Sequence, residues 1–110
     1  MTKKPALATA LLDFFPNALG AIAQHSEFGS AKHNGPDAPV VWAFNKSTHH
    51  ADCVLRHLAQ RGTIDPETGR SHSIALAWRA LALLESELIA DGAAPGFGVD
   101  FGLELKEAAE

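Results

Sequence analysis

The sequence predicts an all-α fold, a small helical bundle that is completed by homo-oligomerisation. Three long segments carry helical apolar patterns, Gly and Pro residues separate them, and no two apolar runs of strand length are available to pair. At 110 residues the chain is one small domain, and alanine and leucine supply much of its 46% hydrophobic content. Burial within one subunit is therefore modest, and self-association would supply the missing area.

The first helix is predicted over residues 17–33, after a short apolar stretch over residues 6–15. Asn17 can cap it, and the segment 34–39 ends it because glycine and two prolines cannot continue a helix. Glu27 lies at the margin of its apolar stripe, where its carboxylate could point into a cleft. The apolar run 40–44 favours a strand by propensity, but the sequence offers it no partner.

The second helix follows Ser47 or Thr48, either of which can cap it, and Gly62 is its natural terminator. Ala51, Leu55 and Leu58 fall on one side of this helix, which we expect to pack. The other side is expected to bind or react, and it carries His49, His50, Asp52, Cys53, Arg56 and His57.

The third helix is predicted to begin near Ser71, after an acidic turn over residues 65–69. Its segment 73–88 is apolar on nearly all faces and should therefore lie in a subunit interface. Arg79 is its only charge before Glu85, so this guanidinium must reach solvent, a carboxylate or a phosphate. We expect residues 1–92 to form the helical domain and 93–110 to form a Gly/Pro-rich connection and an acidic tail.

Composition excludes several partners. The formal net charge is −4, and the few scattered lysines and arginines do not form the dense basic stripe of a nucleic-acid-binding surface. They suit a small anion better. One cysteine excludes an intrachain disulfide framework, and no apolar run is long enough to span a bilayer. We therefore expect a cytoplasmic protein that binds neither nucleic acid nor membrane.

Four segments together resemble a known family: NALGAIAQHSEFGSAKH, Trp42 in a short linker, HHADCVLRHLAQRGTIDPETGRSH, and AWRALALL. They are similar to the phage-encoded dATP/dGTP diphosphohydrolases, which resemble the MazG-like all-α nucleotide pyrophosphohydrolases. The resemblance covers residues 16–90. It implies cleavage of a deoxypurine nucleoside triphosphate to monophosphate and pyrophosphate, assisted by Mg²⁺ or Mn²⁺. It also implies a helical homo-oligomer, a dimer or tetramer, in the host cytoplasm.

Site residues follow from this resemblance and from the side-chain chemistry. Carboxylates suit a hard cation, cations suit phosphates, and a base can activate water. The expected catalytic residues are Glu27, Asp52 and His57, and the expected metal ligands are Glu27, Asp52, Asp65 and Glu67. The expected substrate-binding residues are Lys32, Trp42, Arg56, His72 and Arg79.

Two other functions remain open. The ExxE and ExxD pairs typical of MazG-like enzymes are absent, since Gln24 and Ser30 stand at the relevant spacings from Glu27. This favours a non-catalytic helical module that binds a nucleotide or a protein. An HD-type phosphohydrolase is a weaker alternative because Ala51 separates His50 from Asp52. A zinc site is also weakly supported, because His49, His50 and Cys53 lack a fourth ligand.

Overall fold

A computed structural model describes residues 4–42 and 48–96. In chain order it contains a short π-helical segment (Ala8–Leu12), helix α1 (Pro16–Asn34), helix α2 (His50–Ala59), strands β1 (Ile64–Asp65) and β2 (Arg70–Ser71), and helix α3 (His72–Ala90). The all-α prediction is confirmed, with one small hairpin added between α2 and α3. Helix α3 packs against both other helices and is the centre of the bundle.

Helix α1 matches the first predicted helix closely. It begins at Pro16, whose fixed φ suits the first turn of a helix, so Asn17 lies inside the helix and is not its cap. Phe15 occupies the N-cap position without a side-chain hydrogen bond. Gly35 ends the helix with φ of 99°, a conformation that costs glycine little.

Helix α2 begins at His50, with His49 at the N-cap position and no capping side chain. Thr48 therefore does not cap it, and Ser47 lies outside the described residues. The predicted orientation of this helix is wrong for the single chain. Leu55 and Leu58 are exposed, whereas the buried side chains are those of His50, Cys53 and His57. The polar side packs inward because its histidines contact α3.

The acidic turn forms the tip of a two-stranded antiparallel hairpin, in which Ile64 pairs with Ser71 and Asp65 with Arg70. Asp65 Oδ1 accepts a hydrogen bond from the Glu67 N–H at 2.9 Å, and the Asp65 carbonyl accepts one from the Gly69 N–H at 2.7 Å. Gly69 closes the turn with φ of 73°. The hairpin thus arises from turn chemistry and not from the apolar run 40–44, of which residues 43 and 44 lie outside the described residues.

Helix α3 starts where the sequence predicts. Ser71 is its N-cap, and the Ser71 hydroxyl accepts from the Ser73 N–H at 3.0 Å. Among the described residues the buried apolar side chains are only those of Cys53, Ala82 and Ile89, so the core of the single chain is small. No helix in the described ranges is long and apolar enough to cross a membrane.

Candidate functional site

A cleft of about 220 Å³ lies where α1, α2, the hairpin and α3 meet. Its wall combines aromatic, cationic, acidic and imidazole side chains. It is lined by His25, Phe28, Gly29, Lys32, His33, Trp42, Arg56, His57, Asp65, Glu67, Thr68, Ala75, Trp78 and Arg79.

Two tryptophans form the aromatic part of the cleft. The ring centroids of Trp42 and Trp78 are 4.4 Å apart, and the indole N–H of Trp42 donates to Ser26 Oγ at 2.9 Å. Gly29 allows this placement, because a Cβ at that position would lie 2.8 Å from a carbon of the Trp42 ring. The loop residue Trp42 therefore packs directly on α1 and is hydrogen-bonded to it.

His57, Asp65 and His72 form a cluster beside the cleft, which His57 and Asp65 line. The Nδ1 atoms of His57 and His72 are 2.8 Å apart, and both side chains are buried. One potential ligand atom from each of the three residues lies within 4.8 Å of the other two. Two imidazoles and a carboxylate form a donor set that can hold a divalent metal ion.

Two of the histidines that line the cleft, His25 and His57, are biased towards the neutral form. Burial lowers the pKa of His57, and the nearby Arg56 lowers it further, while Asp65 opposes this effect. Burial also lowers the pKa of His25, as do the charges of Arg70 and other neighbours. Since the ordinary histidine pKa is 6.5, both rings are neutral at pH 7. A neutral imidazole can accept a proton.

Three cationic side chains line the same cleft, one from each helix: Lys32 from α1, Arg56 from α2 and Arg79 from α3. Arg56 Nη2 donates to Cys53 Sγ at 3.7 Å. Arg79 Nη1 lies 3.0 Å from His50 Nδ1, so this charge on the apolar helix α3 faces α2. The cations give the cleft a favourable field for an anion.

The structure brings most of the predicted site residues together. Lining the cleft are Lys32, Trp42, Arg56, His57, Asp65, Glu67 and Arg79. His72 joins the site through its contact with His57. Glu27 and Asp52 are exposed and do not line the cleft. Two of the four predicted carboxylate ligands are therefore at the site in the single chain.

Among the cleft residues that sequence reasoning missed are His25 and Trp78. The Nδ1 atom of His25 is buried and has no hydrogen-bond partner among the described residues. A spacing signal existed for it, because His25, Gly29 and Lys32 follow one another at i, i+4 and i+7 on one face of α1. Trp78 gives no comparable signal, because it lies in an apolar helix whose sequence pattern indicates only packing.

Comparison with known proteins gives one match. The family model described as dATP/dGTP diphosphohydrolase, N-terminal, matches residues 2–94. No curated protein and no solved structure matches the chain. Because the matched region covers most of the chain and contains the entire cleft, the chain belongs to the dATP/dGTP diphosphohydrolase family, as a member carrying its N-terminal domain.

Proposed function

We propose that this chain hydrolyses a deoxypurine nucleoside triphosphate, dATP or dGTP, to the monophosphate and pyrophosphate. The observation that carries the proposal is the meeting of an aromatic pair, three cations and neutral histidines in one cleft. A nucleotide needs those surfaces together, because its base has flat aromatic faces and its phosphates are anionic. The family name supports the same reaction class.

Substrate binding divides between the two kinds of surface. The indole rings of Trp42 and Trp78 provide a stacking surface for the purine, and a stacked base contributes about 1–3 kcal/mol. Lys32, Arg56 and Arg79 bind the triphosphate by charge-assisted hydrogen bonds. His72 supports this surface indirectly, since it holds His57 in place.

The reaction requires attack by water at the α-phosphorus. A bond forms between the water oxygen and that phosphorus, the bond to the oxygen bridging the α- and β-phosphates breaks, and pyrophosphate leaves. We assign the water proton to His25, because this neutral ring lines the cleft with a buried, unpartnered Nδ1. Arg56 and Lys32 offset the negative charge that develops on the leaving pyrophosphate.

The metal dependence of the reaction is part of the proposal. A divalent ion, Mg²⁺ or Mn²⁺, supplies charge neutralisation and a more acidic bound water when it is present. Asp65 and Glu67 are the predicted carboxylate ligands on the cleft. The exposed carboxylates of Glu27 and Asp52 would contribute only after rearrangement or across a subunit contact.

We also propose that the active form is a homo-oligomer in the cytoplasm. Leu81, Leu84 and Leu88 remain 49%, 52% and 46% exposed on α3, and together they form an apolar stripe of helical spacing. A reducing compartment suits Cys53, which is a buried free thiol.

The proposed activity is tested by incubating the purified chain with each nucleoside triphosphate and Mg²⁺ or Mn²⁺, and separating the products by chromatography. Monophosphate and pyrophosphate support the proposal, and His25→Gln should lose turnover while retaining nucleotide binding. Inorganic tripolyphosphate would indicate HD-type chemistry instead.

A second candidate is a non-catalytic nucleotide-binding module. The exposed positions of Glu27 and Asp52, outside the cleft, favour it. Calorimetric binding of dATP without any turnover, for every metal tested, would establish this candidate and exclude the hydrolase.

A further inference from the structure

The His57–Asp65–His72 cluster combines side chains from three separate elements. His57 comes from α2, Asp65 from β1 and His72 from the first turn of α3. Backbone hydrogen bonds position the hairpin and the start of α3. The His72 N–H donates to the Thr63 carbonyl at 3.0 Å, and the Asp65 carbonyl accepts from the Gly69 N–H. The cluster is thus built by the fold and not by one flexible segment.

The atoms of this cluster have the spacing of ligands to a common ion. The separation of 2.8 Å between the two Nδ1 atoms is near the edge of an octahedron whose metal–nitrogen bonds are about 2.0–2.1 Å. The Glu67 N–H already engages Asp65 Oδ1, so the remaining oxygen of this carboxylate is the one available to a ligand. A site of three protein ligands keeps further positions open for water or phosphate.

The two histidines of the cluster are also buried. The side chains of His57 and His72 are 7% and 4% exposed, and His72 Nε2 has no hydrogen-bond partner among the described residues. Two imidazoles that share only one hydrogen bond between them leave a buried polar atom unsatisfied, which costs free energy. Ligation of an ion by both Nδ1 atoms leaves Nε2 as it is, but it lets both Nδ1 atoms act as electron-pair donors, whereas in the His–His contact one of them must carry the proton.

The donor set also selects the ion. Imidazole nitrogens favour first-row transition metals, whereas Mg²⁺ prefers an all-oxygen octahedron and keeps its waters. We infer that His57, Asp65 and His72 form a mononuclear centre that binds a transition-metal dication, such as Mn²⁺, Co²⁺ or Zn²⁺, in preference to Mg²⁺. This inference rests on the proposed function, for which the centre would hold the metal cofactor. The centre replaces the all-carboxylate site that the missing acidic pairs would have formed.

Binding of Co²⁺ tests the centre without nucleotide. The full chain, freed of metal with a chelator and desalted, is titrated with Co²⁺ while visible absorption and calorimetric heat are recorded. One ion per chain should bind, and an excess of Mg²⁺ should not displace it. Asp65→Asn and His57→Gln should each weaken binding by at least the roughly 10–100-fold that loss of an outer-shell partner causes.

Matched variants locate the site. His49→Gln removes an exposed histidine at the N-cap of α2, and Glu87→Gln removes an exposed carboxylate of α3, both outside the cluster and the cleft. Both should bind Co²⁺ as the unmodified chain does. If His57→Gln fails to fold, judged by circular dichroism, Asp65→Asn decides, because Asn can still accept the Glu67 N–H.

Three results would overturn the centre: no bound Co²⁺, displacement by equimolar Mg²⁺, or unchanged binding in Asp65→Asn. Loss of binding in Glu67→Gln together with unchanged binding in His57→Gln would also overturn it, since the turn carboxylates would then hold the ion without the imidazole. The proposed function fails separately, if a Co²⁺- or Mn²⁺-loaded chain leaves dATP and dGTP intact.

Discussion

His57 Nδ1 lies 2.8 Å from His72 Nδ1, so one nitrogen–nitrogen contact joins the interior of α2 to the start of α3. The two residues are 15 positions apart in sequence, and the hairpin spans the distance between them. In the metal-free chain one nitrogen must carry the proton and the other must accept it. The contact therefore links the two helices and is also part of the candidate site.

Replacing one member of this pair should destabilise the metal-free chain. His57→Leu leaves the ring of His72 buried with no acceptor or donor, and an unsatisfied buried group costs about 1–3 kcal/mol. The free energy of unfolding, measured with urea in the presence of a chelator, checks this. The double variant His57→Leu/His72→Leu should lose less than the sum of the two single losses. Strict additivity would contradict a direct interaction.

Gly29 and Gly20 provide a paired test of the tryptophan placement. Both are glycines of α1, and an added Cβ meets nothing within 4 Å at Gly20 but lies 2.8 Å from the Trp42 ring at Gly29. Gly20→Ala should stabilise the chain by about 0.5–1 kcal/mol, because alanine favours a helix. Gly29→Ala should destabilise it, since overpacking costs about 1–3 kcal/mol and exceeds that gain.

Tryptophan fluorescence in the same two variants reports the local effect. Gly29→Ala should shift the emission spectrum as Trp42 moves away from α1, whereas Gly20→Ala should leave it unchanged. Stabilisation of both variants to the same extent would show that Trp42 does not pack on Gly29 in solution.

The fold could be predicted because its signals are local. Gly35 ends α1 in a backbone conformation that favours glycine, and Ser71 caps α3 with its own hydroxyl, whereas α2 ends at Ala59, before the predicted terminator Gly62. The orientation of α2 could not be predicted in this way. Leu55 and Leu58 made an apolar face, yet the histidines of the opposite face pack inward. Contacts with α3 decide which face of α2 packs inward, and the sequence of α2 alone does not show these contacts.

The candidate site could be predicted in part for the same reason. Arg56 and His57 stand out within one motif, and Asp65 follows in the turn, so their chemistry was visible in sequence. His25 and Trp78 join them only through tertiary packing, since the cleft brings α1 and α3 together. The pairing of His57 with His72 likewise depends on how the hairpin closes, a geometry that residue types alone do not encode.

Stability should fall as the pH drops below about 6.5. Burial and the charge of Arg70 lower the pKa of His25 in the folded chain from its ordinary value of 6.5. The unfolded chain therefore takes up a proton first as the pH falls, which favours unfolding by at most about 1.4 kcal/mol per pH unit for each such group. Above pH 6.5 this contribution is constant.

Urea unfolding of the chain and of His25→Gln at several pH values checks the expectation. The variant should show a weaker pH dependence, although His57, whose pKa is lowered in the same direction, keeps some of it. The prediction fails if the unmodified chain is equally stable at pH 5 and pH 7, or if His25→Gln has the same profile.

Variants of Arg56 and Arg61 distinguish a loss of phosphate binding from a general effect of surface charge. Both arginines are exposed near the end of α2, but Arg56 lines the cleft, whereas Arg61 Nη1 donates to the Leu58 carbonyl at 3.0 Å and does not line it. Arg56→Ala should weaken binding of a non-hydrolysable dATP analogue about ten- to a hundred-fold, since a hydrogen bond to a charged group contributes about 1.5–3 kcal/mol. Arg61→Ala should bind as the unmodified chain does in calorimetric titration. Equal affinities for all three proteins would remove Arg56 from the phosphate site.

The exposed stripe of α3 predicts self-association, and Leu81 tests it. Leu81 is 49% exposed in the single chain, so an aspartate at this position would be tolerated there at little cost in stability. In a subunit interface the same aspartate would be buried without a partner, which costs several kcal/mol. Leu81→Asp should therefore dissociate an oligomer that light scattering detects for the unmodified chain at micromolar concentration. Ala80→Asp serves as the neighbouring control on an adjacent exposed face, and it should have a smaller effect on the molar mass. A stable, folded monomer of the unmodified chain under these conditions would contradict the prediction, because the leucine stripe would then face water.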